Sequence, residues 1–238
     1  MSSKSFFISN DISFPYDQSR FPGQASDESI LYATREHSIF LIIRLLFVFG
    51  VGLSIILATI LFNKTINLIF STNVLPGVIL IMLLIFSLFI LIGAWWVFTL
   101  WKKSIAIVTN KRLIKFIYTT PINRYNMSLP LDMIVDTSCH NKGFLSSYLK
   151  IGSITARSSA SSSGLATADT SRINKKYFYL ENIKYFEDLQ QYLNKLINTL
   201  HKEPEKLNKF RPFIPHLKGE KREEFLRNNY PDYAKKTN

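Results

Sequence analysis

Cysteine is nearly absent from this sequence. Cys139 is the single cysteine in 238 residues, which excludes an internal disulfide and a cysteine-rich metal site. The four histidines, His37, His140, His201 and His216, have no second histidine or carboxylate at the spacing of a zinc site. We therefore expect no metal site and no cofactor.

Catalytic motifs are absent as well. The sequence has no Gly-x-Ser-x-Gly, no Walker-type phosphate loop and no motif of paired carboxylates. The serine-rich stretch 158–171 has one glycine and lacks the strand-to-helix context of a phosphate loop, so its composition predicts a flexible loop. We expect no catalytic residues and no enzymatic activity.

Negative charge is scarce in the second part of the chain. Residues 1–100 hold five basic and five acidic residues, so residues 101–238 carry the whole net charge of +12. Such an excess suits nucleic acid, anionic lipid or retention in the cytoplasm. The apolar runs described next favour the last two, and we do not expect nucleic acid as a partner.

Two long apolar runs follow the first 37 residues. The run from Ile39 to Phe62 has 18 Leu, Ile, Phe or Val among its 24 residues, which favour membrane insertion by about 5–11 kcal/mol. Arg44 opposes insertion by at most about 3 kcal/mol and lies near the start of the run, where it can reach the interface. The second run contains no charged residue. Each exceeds the roughly 20 residues that cross a bilayer, so we predict two transmembrane helices in the lipid bilayer, at about 39–62 and 77–100.

The flanking charges predict the topology. The connection between the two runs has one positive charge, Lys64, whereas 24 positive charges lie after Trp101. The positive-inside rule then places both termini in the cytoplasm. Trp95, Trp96 and Trp101 are predicted to be interfacial anchors on that side.

Short strands are predicted after the second run, because β-branched and aromatic residues alternate with polar ones. Thr109 and Asn110 open a tight turn, and the asparagine is expected to supply left-handed geometry there. At Gly152 the alternation changes parity, and a β-bulge would return the apolar side chains to one face. The strands are expected at 104–109, 112–118, 123–129, 133–137, 148–157 and 174–180.

One amphipathic helix is predicted after the strands. Apolar residues from Ile183 to Leu200 follow helical spacing, Asn182 is expected to cap the first turn, and Pro204 ends the helix. We divide the chain into a cytoplasmic N-terminal segment (1–37), the helical region (38–101), a domain of antiparallel strands closed by the helix (102–203) and a basic, largely extended tail (204–238) with a short helix at 218–228.

Several stretches resemble one family. PGQASDESILYATREH (22–37) looks like an acidic lead-in before a first span. WKKSIAIVTNKRLIKF (101–116) is similar to a hallmark in which a Trp leads to a strand, a Thr-Asn-x-Arg turn and a second strand. LPLDMIVDTS (129–138) and LKIGSITARSS (149–159) are similar to later strands.

On these stretches the chain resembles the bacterial membrane proteins with a pleckstrin-homology-like (PH-like) domain, of the YdbS-like type. The resemblance implies a membrane α+β protein, in which a two-helix transmembrane hairpin is followed by a small PH-like antiparallel β-barrel or sheet, capped by a C-terminal amphipathic helix. It also implies a multi-pass protein of the bacterial plasma (inner) membrane.

The basic residues near the second run have two interpretations. They are candidates to bind anionic lipid, since each such charge near the surface is worth about 1 kcal/mol. The other interpretation, which we favour, is that they determine topology and lie on solvated strand faces, with Arg112 fixing the hairpin turn. These residues are Lys102, Lys103, Lys111, Arg112, Lys115, Lys175 and Lys176.

Two functions follow from these predictions. The first is a non-catalytic, membrane-anchored binding or scaffold module, which faces the cytoplasm and recognises a protein partner or forms a homo-oligomer. The alternative is a sensor of anionic-lipid head groups at the inner leaflet.

Overall fold

The computed structural model describes residues 4–5, 12, 14–16, 19–70, 75–159, 177–217 and 219–230. The helices are α1 (Ser38–Phe70), α2 (Leu75–Lys103), α3 (Phe144–Tyr148), α4 (Phe186–Lys202) and α5 (Gly219–Asn229). The strands are β1 (Lys4–Ser5), β2 (Ser19–Arg20), β3 (Ile30–Thr34), β4 (Ile105–Thr109), β5 (Arg112–Tyr118), β6 (Arg124–Pro130), β7 (Ile134–His140), β8 (Ile151–Ser158) and β9 (Tyr177–Lys184).

The described residues form two compact units. The helical hairpin comprises Ser38–Trp101 together with Thr119–Asn123. The sheet domain comprises the described residues up to His37, then Lys102–Tyr118, and those from Arg124 onwards. The sheet domain thus extends beyond the predicted range 102–203 at both ends, since it includes residues before α1 and residues after α4.

The helical hairpin contains the two predicted apolar helices. Within the described residues, Ser38–Phe62 and Leu80–Lys103 are long and apolar enough to cross a membrane, with mean hydropathies of 2.7 and 2.6. Both helices are longer than the predicted spans: α1 runs on to Phe70, and α2 begins at Leu75. Pro76 lies in the first turn of α2, where its missing N–H leaves no helical hydrogen bond unmade.

Small residues let the two helices approach closely. A Cβ placed on Gly52 of α1 would lie 2.5 Å from the side chain of Ile90 in α2, and one on Gly93 would lie 3.1 Å from Val48. Close approach at small residues is the usual way in which helices pack in lipid, where apolar side chains gain little by leaving the solvent.

The sheet domain contains two larger antiparallel sheets. One has the strand order β3-β4-β5-β6 and the other the order β7-β8-β9. The antiparallel strands that we predicted are confirmed, with bounds that differ by a few residues at most ends. The described strands of the two sheets do not pair with each other, so these residues form sheets rather than a closed barrel.

Strand β3 was not predicted. It lies before α1, yet it pairs with β4 after α2, with Thr34 opposite Ala106 and Ala33 opposite Ile107. The helical hairpin is therefore an insertion between two neighbouring strands of one sheet, and the end of the N-terminal segment is part of the sheet domain.

One hydrophobic core joins both sheets to α4. Fully buried members include Leu113 of β5, Ile154 of β8 and Leu193 of α4, and the apolar face of α4 confirms the predicted C-terminal amphipathic helix. The predicted cap was wrong, because α4 follows Tyr185, which is left-handed with φ 58°. Asn182 lies in β9, also with a positive φ.

The segment after α4 packs into this core. A 3-10 turn at Pro204–Lys209 is followed by a return of the chain to the sheet domain, where Leu207 and Phe213 are buried core members. The hydroxyl of Tyr192 donates to the carbonyl oxygen of Arg211 at 2.5 Å. The short helix that we expected at 218–228 is α5, at Gly219–Asn229.

Candidate functional site

The turn between β4 and β5 is held by the side chain of Thr109. Its hydroxyl oxygen accepts hydrogen bonds from the backbone N–H groups of Lys111 (3.2 Å) and Arg112 (3.0 Å). The same hydroxyl donates to a carboxylate oxygen of Glu28 at 2.8 Å. Thr109 is completely buried, so these contacts fix the shape of the turn.

Asn110 has a different role from the one that we predicted. Its φ is not positive, and it instead pairs with Ser29, next to the start of β3. The N–H of Asn110 donates to the carbonyl oxygen of Ser29 at 3.1 Å, while its side-chain oxygen accepts from the N–H of Ser29 at 3.0 Å. The turn therefore recognises the backbone of the segment before α1.

Glu28 and Arg112 form an ion pair beside this turn, in which the carboxylate is buried and the guanidinium is partly exposed. The Nε and Nη2 atoms of Arg112 donate to the two carboxylate oxygens at 2.9 and 2.8 Å, a geometry that gives strong, directional hydrogen bonds. Nη2 also donates to the carbonyl oxygen of Gly23 at 2.6 Å. Only 1 % of the Glu28 side chain is exposed. Because Glu28 lies before β3 and Arg112 is the first residue of β5, the pair joins the N-terminal segment to β5.

The surroundings of Glu28 keep the pair charged. Burial alone would raise the pKa of this carboxyl, but hydrogen bonds from Arg112, Thr109 and the N–H of Ala25, with the charge of Arg112, bring it below its ordinary value. The hydrogen bond to Glu28 raises the pKa of Arg112 in turn. Both groups are therefore ionised at neutral pH.

Two further predicted lipid-binding cations also face acidic partners. Lys111 forms an exposed ion pair with Asp27, and Nζ of Lys115 lies 3.0 Å from a carboxylate oxygen of Glu181 in β9. With Arg112, three of the predicted cations are thus matched by carboxylates of the sheet domain. These three cations therefore contact acidic side chains of the same domain, and Arg112 does so beside the turn.

The other predicted cations lie in different places. Lys102 and Lys103 are in the last turn of α2, and Nζ of Lys103 lies 5.5 Å from the ring centroid of Tyr118. Lys175 and Lys176 lie outside the described residues. The five predicted cations that the structure describes therefore do not form one anion-binding face.

The predicted anchors and the predicted bulge are both located by the structure. Trp95 and Trp96 lie in α2 with exposed side chains, and the ring centroid of Trp101 lies 6.3 Å from that of Phe98.

The register of β8 with β9 shifts between Gly152 and Ile154, which confirms a bulge at the predicted glycine.

Two of the outer strands have their open side covered. At β3, the N–H of Phe213 donates to the carbonyl oxygen of Leu31 at 2.9 Å. At β7, the side-chain amide of Gln190 in α4 donates to the carbonyl oxygen of Thr137 at 2.7 Å. Covering an open strand in this way prevents unwanted pairing with other chains.

The remaining outer strands differ from each other. The N–H of His37 reaches β9 and donates to the carbonyl oxygen of Asn182 at 2.8 Å. Along β6, no described segment other than β5 makes a hydrogen bond with Tyr125–Leu129. β6 pairs with β5 over seven consecutive residues without a bulge, and its residues are mostly exposed. We call this strand, Arg124–Pro130, the β6 edge.

The described residues show no arrangement typical of catalysis. They contain no group of three or more His, Cys, Asp or Glu side chains that could hold a metal ion. Burial and the nearby charge of Glu187 raise the pKa of the Cys139 thiol, which makes it less nucleophilic. A cleft of about 710 Å³ beside α4 is lined by cations and anions together, among them Lys195, Arg222 and Asp188.

Comparison with known proteins gives no match: no protein-family model, no curated protein and no solved structure is similar to this chain. The likeness to PH-like membrane proteins stays a prediction from the stretches quoted above.

Proposed function

We propose that this chain is a membrane-anchored binding module, whose sheet domain recognises a protein partner or a second copy of itself and performs no catalysis. The observation that carries the proposal is the β6 edge. An outer strand with free backbone groups can accept an extended segment of another chain as one more strand. The other outer strands of the two larger sheets, β3, β7 and β9, each receive a hydrogen bond from a further segment of the domain.

The sequence of the β6 edge is consistent with pairing. Outer strands that avoid partners usually carry a lysine, a bulge or an interior proline. Between Arg124 and Pro130 the strand has no lysine and no proline, and its ladder with β5 is regular. Tyr125, with 49 % of its surface exposed, is available to contact a partner's side chains.

A PH-like domain and a cytoplasmic orientation are part of the proposal. Two antiparallel sheets that share one core with a C-terminal helix are compatible with the PH-like fold. Pairing of β3 with β4 brings the start of α1 and the end of α2 to the same sheet, which supports two crossings with both ends on one side. The excess of Lys and Arg after α2 favours the cytoplasm as that side.

Photo-crosslinking in the chain's own membrane tests the binding function. A photoreactive amino acid would replace Tyr125 on the β6 edge or, as a matched control, the exposed Tyr179 on β9. We expect a discrete crosslinked product from position 125 and none from position 179. The double variant Asn126→Lys, Ser128→Lys should abolish the product, because lysines on an outer strand disfavour pairing.

Two results would contradict the proposal. One is a chain that forms no crosslink at position 125 and remains a lone monomer in mild detergent. The other is a product at position 125 that the two lysines leave unchanged, since its partner would then contact a different surface.

A further inference from the structure

A small apolar projection separates β7 from β8. It consists of α3 and its flanking residues, 142–150, which we call the tip. Phe144 and Tyr148 are 87 % and 77 % exposed, and Leu145 is 41 % exposed. The two aromatic rings stack on each other, with centroids 6.4 Å apart and planes 14° apart. Three exposed apolar side chains thus lie within five helical residues, and contiguous exposed apolar patches are a feature of interaction sites.

The backbone on both sides of α3 holds the tip in place. Gly143 and Lys150 both have left-handed φ values, of 88° and 53°. A positive φ is uncommon for lysine and is one of the strained conformations that recur at functional sites. A hydrogen bond within the tip closes its C-terminal end, since the N–H of Lys150 donates to the carbonyl oxygen of Ser147 at 3.3 Å.

The charged residues of the chain that forms the tip have a single sign. From Thr137 to Ser159 the chain has no acidic residue, and it has Lys142 and Lys150 at the two ends of the tip. Among the described residues neither lysine forms an ion pair, unlike Lys111 and Lys115. Exposed aromatic and aliphatic side chains between free lysines suit the interface of an anionic bilayer, where apolar groups enter the acyl boundary and cations contact head groups.

We propose that the tip inserts into the surface of an anionic lipid bilayer, with Phe144, Leu145 and Tyr148 among the lipids and Lys142 and Lys150 at the head groups. A bilayer that holds α2 is close to the sheet domain along the chain, because only Ser104 separates the end of α2 from the start of β4. This contact is separate from the β6 edge and does not depend on it. The tip also differs from the cations that the sequence suggested, several of which are matched by carboxylates.

Fluorescence quenching in proteoliposomes tests this proposal on the full chain. Cys139 would be replaced by serine, and a cysteine at Ser146 would carry an environment-sensitive fluorophore. The vesicles would contain phosphatidylcholine alone or with phosphatidylglycerol, and the acyl chains would be brominated to quench fluorophores that enter the bilayer. We expect quenching in the anionic vesicles that weakens at high salt.

Variants separate the apolar and the charged contributions. Phe144→Ser with Tyr148→Ser should abolish quenching, because the tip then has no aromatic anchor. Lys142→Gln and Lys150→Gln should each reduce insertion about fivefold, since one cation near an anionic surface is worth about that factor. All these side chains are exposed, so the domain should unfold at the same temperature in every variant.

Three outcomes would overturn the proposal. The label could remain unquenched in anionic vesicles, or quenching could be equal in the Phe144→Ser, Tyr148→Ser variant. The label could also stay unquenched by lipid yet become shielded in native membranes, in which case the tip binds a protein.

Discussion

At the scale of single residues, Glu28 is the shared hydrogen-bond acceptor of the Thr109–Arg112 turn. Thr109 and Arg112 both donate hydrogen bonds to its carboxylate, and Asn110 pairs with the neighbouring Ser29. Lys111 pairs with Asp27, so all four turn residues bind one short segment before α1. The acidic lead-in and the Thr-Asn-x-Arg turn, two separate features of the sequence, are the two halves of one contact.

Glu28→Gln should destabilise the sheet domain by about 2–3 kcal/mol, because Arg112 loses a charged, doubly hydrogen-bonded partner. Thermal unfolding in mild detergent, followed by circular dichroism in the β-sheet region, measures the change. Asp27→Asn is the matched control: it removes an exposed pair with Lys111, and exposed pairs contribute little. Equal effects of the two substitutions would show that burial of Glu28 has no special weight.

The stability of the domain should also depend on pH through Glu28. Its folded-state pKa lies below the ordinary value of 4.5, so the charged carboxylate stabilises the fold above that value. This contribution is lost as the pH falls through the folded-state pKa. Unfolding measured from neutral to acid pH should therefore show the difference between the wild type and Glu28→Gln shrinking below about pH 4.5. A constant difference would contradict the assignment.

The sequence could predict a structural role for Arg112 at the turn, but it could not predict Glu28 as its partner. A charged residue in a tight turn suggests a structural contact, whereas nothing local points to Glu28, which lies beyond both helices. Asn110 was mispredicted for a related reason. Its tendency towards left-handed geometry is a local preference, and hydrogen bonds to a distant segment replaced it.

At the scale of elements, periodicity predicted most of the sheet domain. The alternation in 112–118 gave β5 with its observed bounds, and the parity change at Gly152 gave the bulge. β3 was missed because ILYAT is short and its partner follows only after the helical hairpin. The segment around Phe213 was missed because its prolines and mixed charges give no period, although it packs on the core.

Packing of the helical hairpin should depend on Gly52. A valine there would collide with Ile90, whereas Gly50 has no heavy atom within 4 Å of an added Cβ. We expect Gly52→Val to lower the unfolding temperature of the hairpin in detergent and Gly50→Val to change it much less. Tryptophan fluorescence reports on this unit, since Trp95, Trp96 and Trp101 all lie in α2. If the two valines act alike, the close approach at Gly52 does not determine the packing.

At the scale of the whole molecule, the helical hairpin is an insertion in a β-sheet. Thr34 and Ala106 are opposite each other in the β3–β4 ladder, and such Cα atoms lie about 4.5–5.5 Å apart. The polypeptide therefore leaves the sheet domain and returns to it at nearly one point. The charges that predicted the topology could not show this. They indicate the side of the membrane on which each helix ends, but not the pairing of β3 with β4.

This arrangement predicts that the helical hairpin can be removed if β3 is kept. A chain in which a short Gly/Ser turn replaces residues 38–103 should give a soluble, folded sheet domain, judged by circular dichroism and size-exclusion chromatography. A chain that starts at Ser104 should aggregate, because the open side of β4, with Ile107 and Val108 almost fully buried, would be exposed. Equal solubility of the two chains would show that β3 is dispensable.

The pairing of β3 with β4 also sets an order of events on the ribosome. When Ile30–Thr34 leaves the exit tunnel, its partner has not been translated, and at about 5–20 residues per second β4 follows only some seconds later. Both apolar helices are synthesised during that interval. Completion of the sheet therefore waits until both helices have been made, and β3 lacks its partner strand until then.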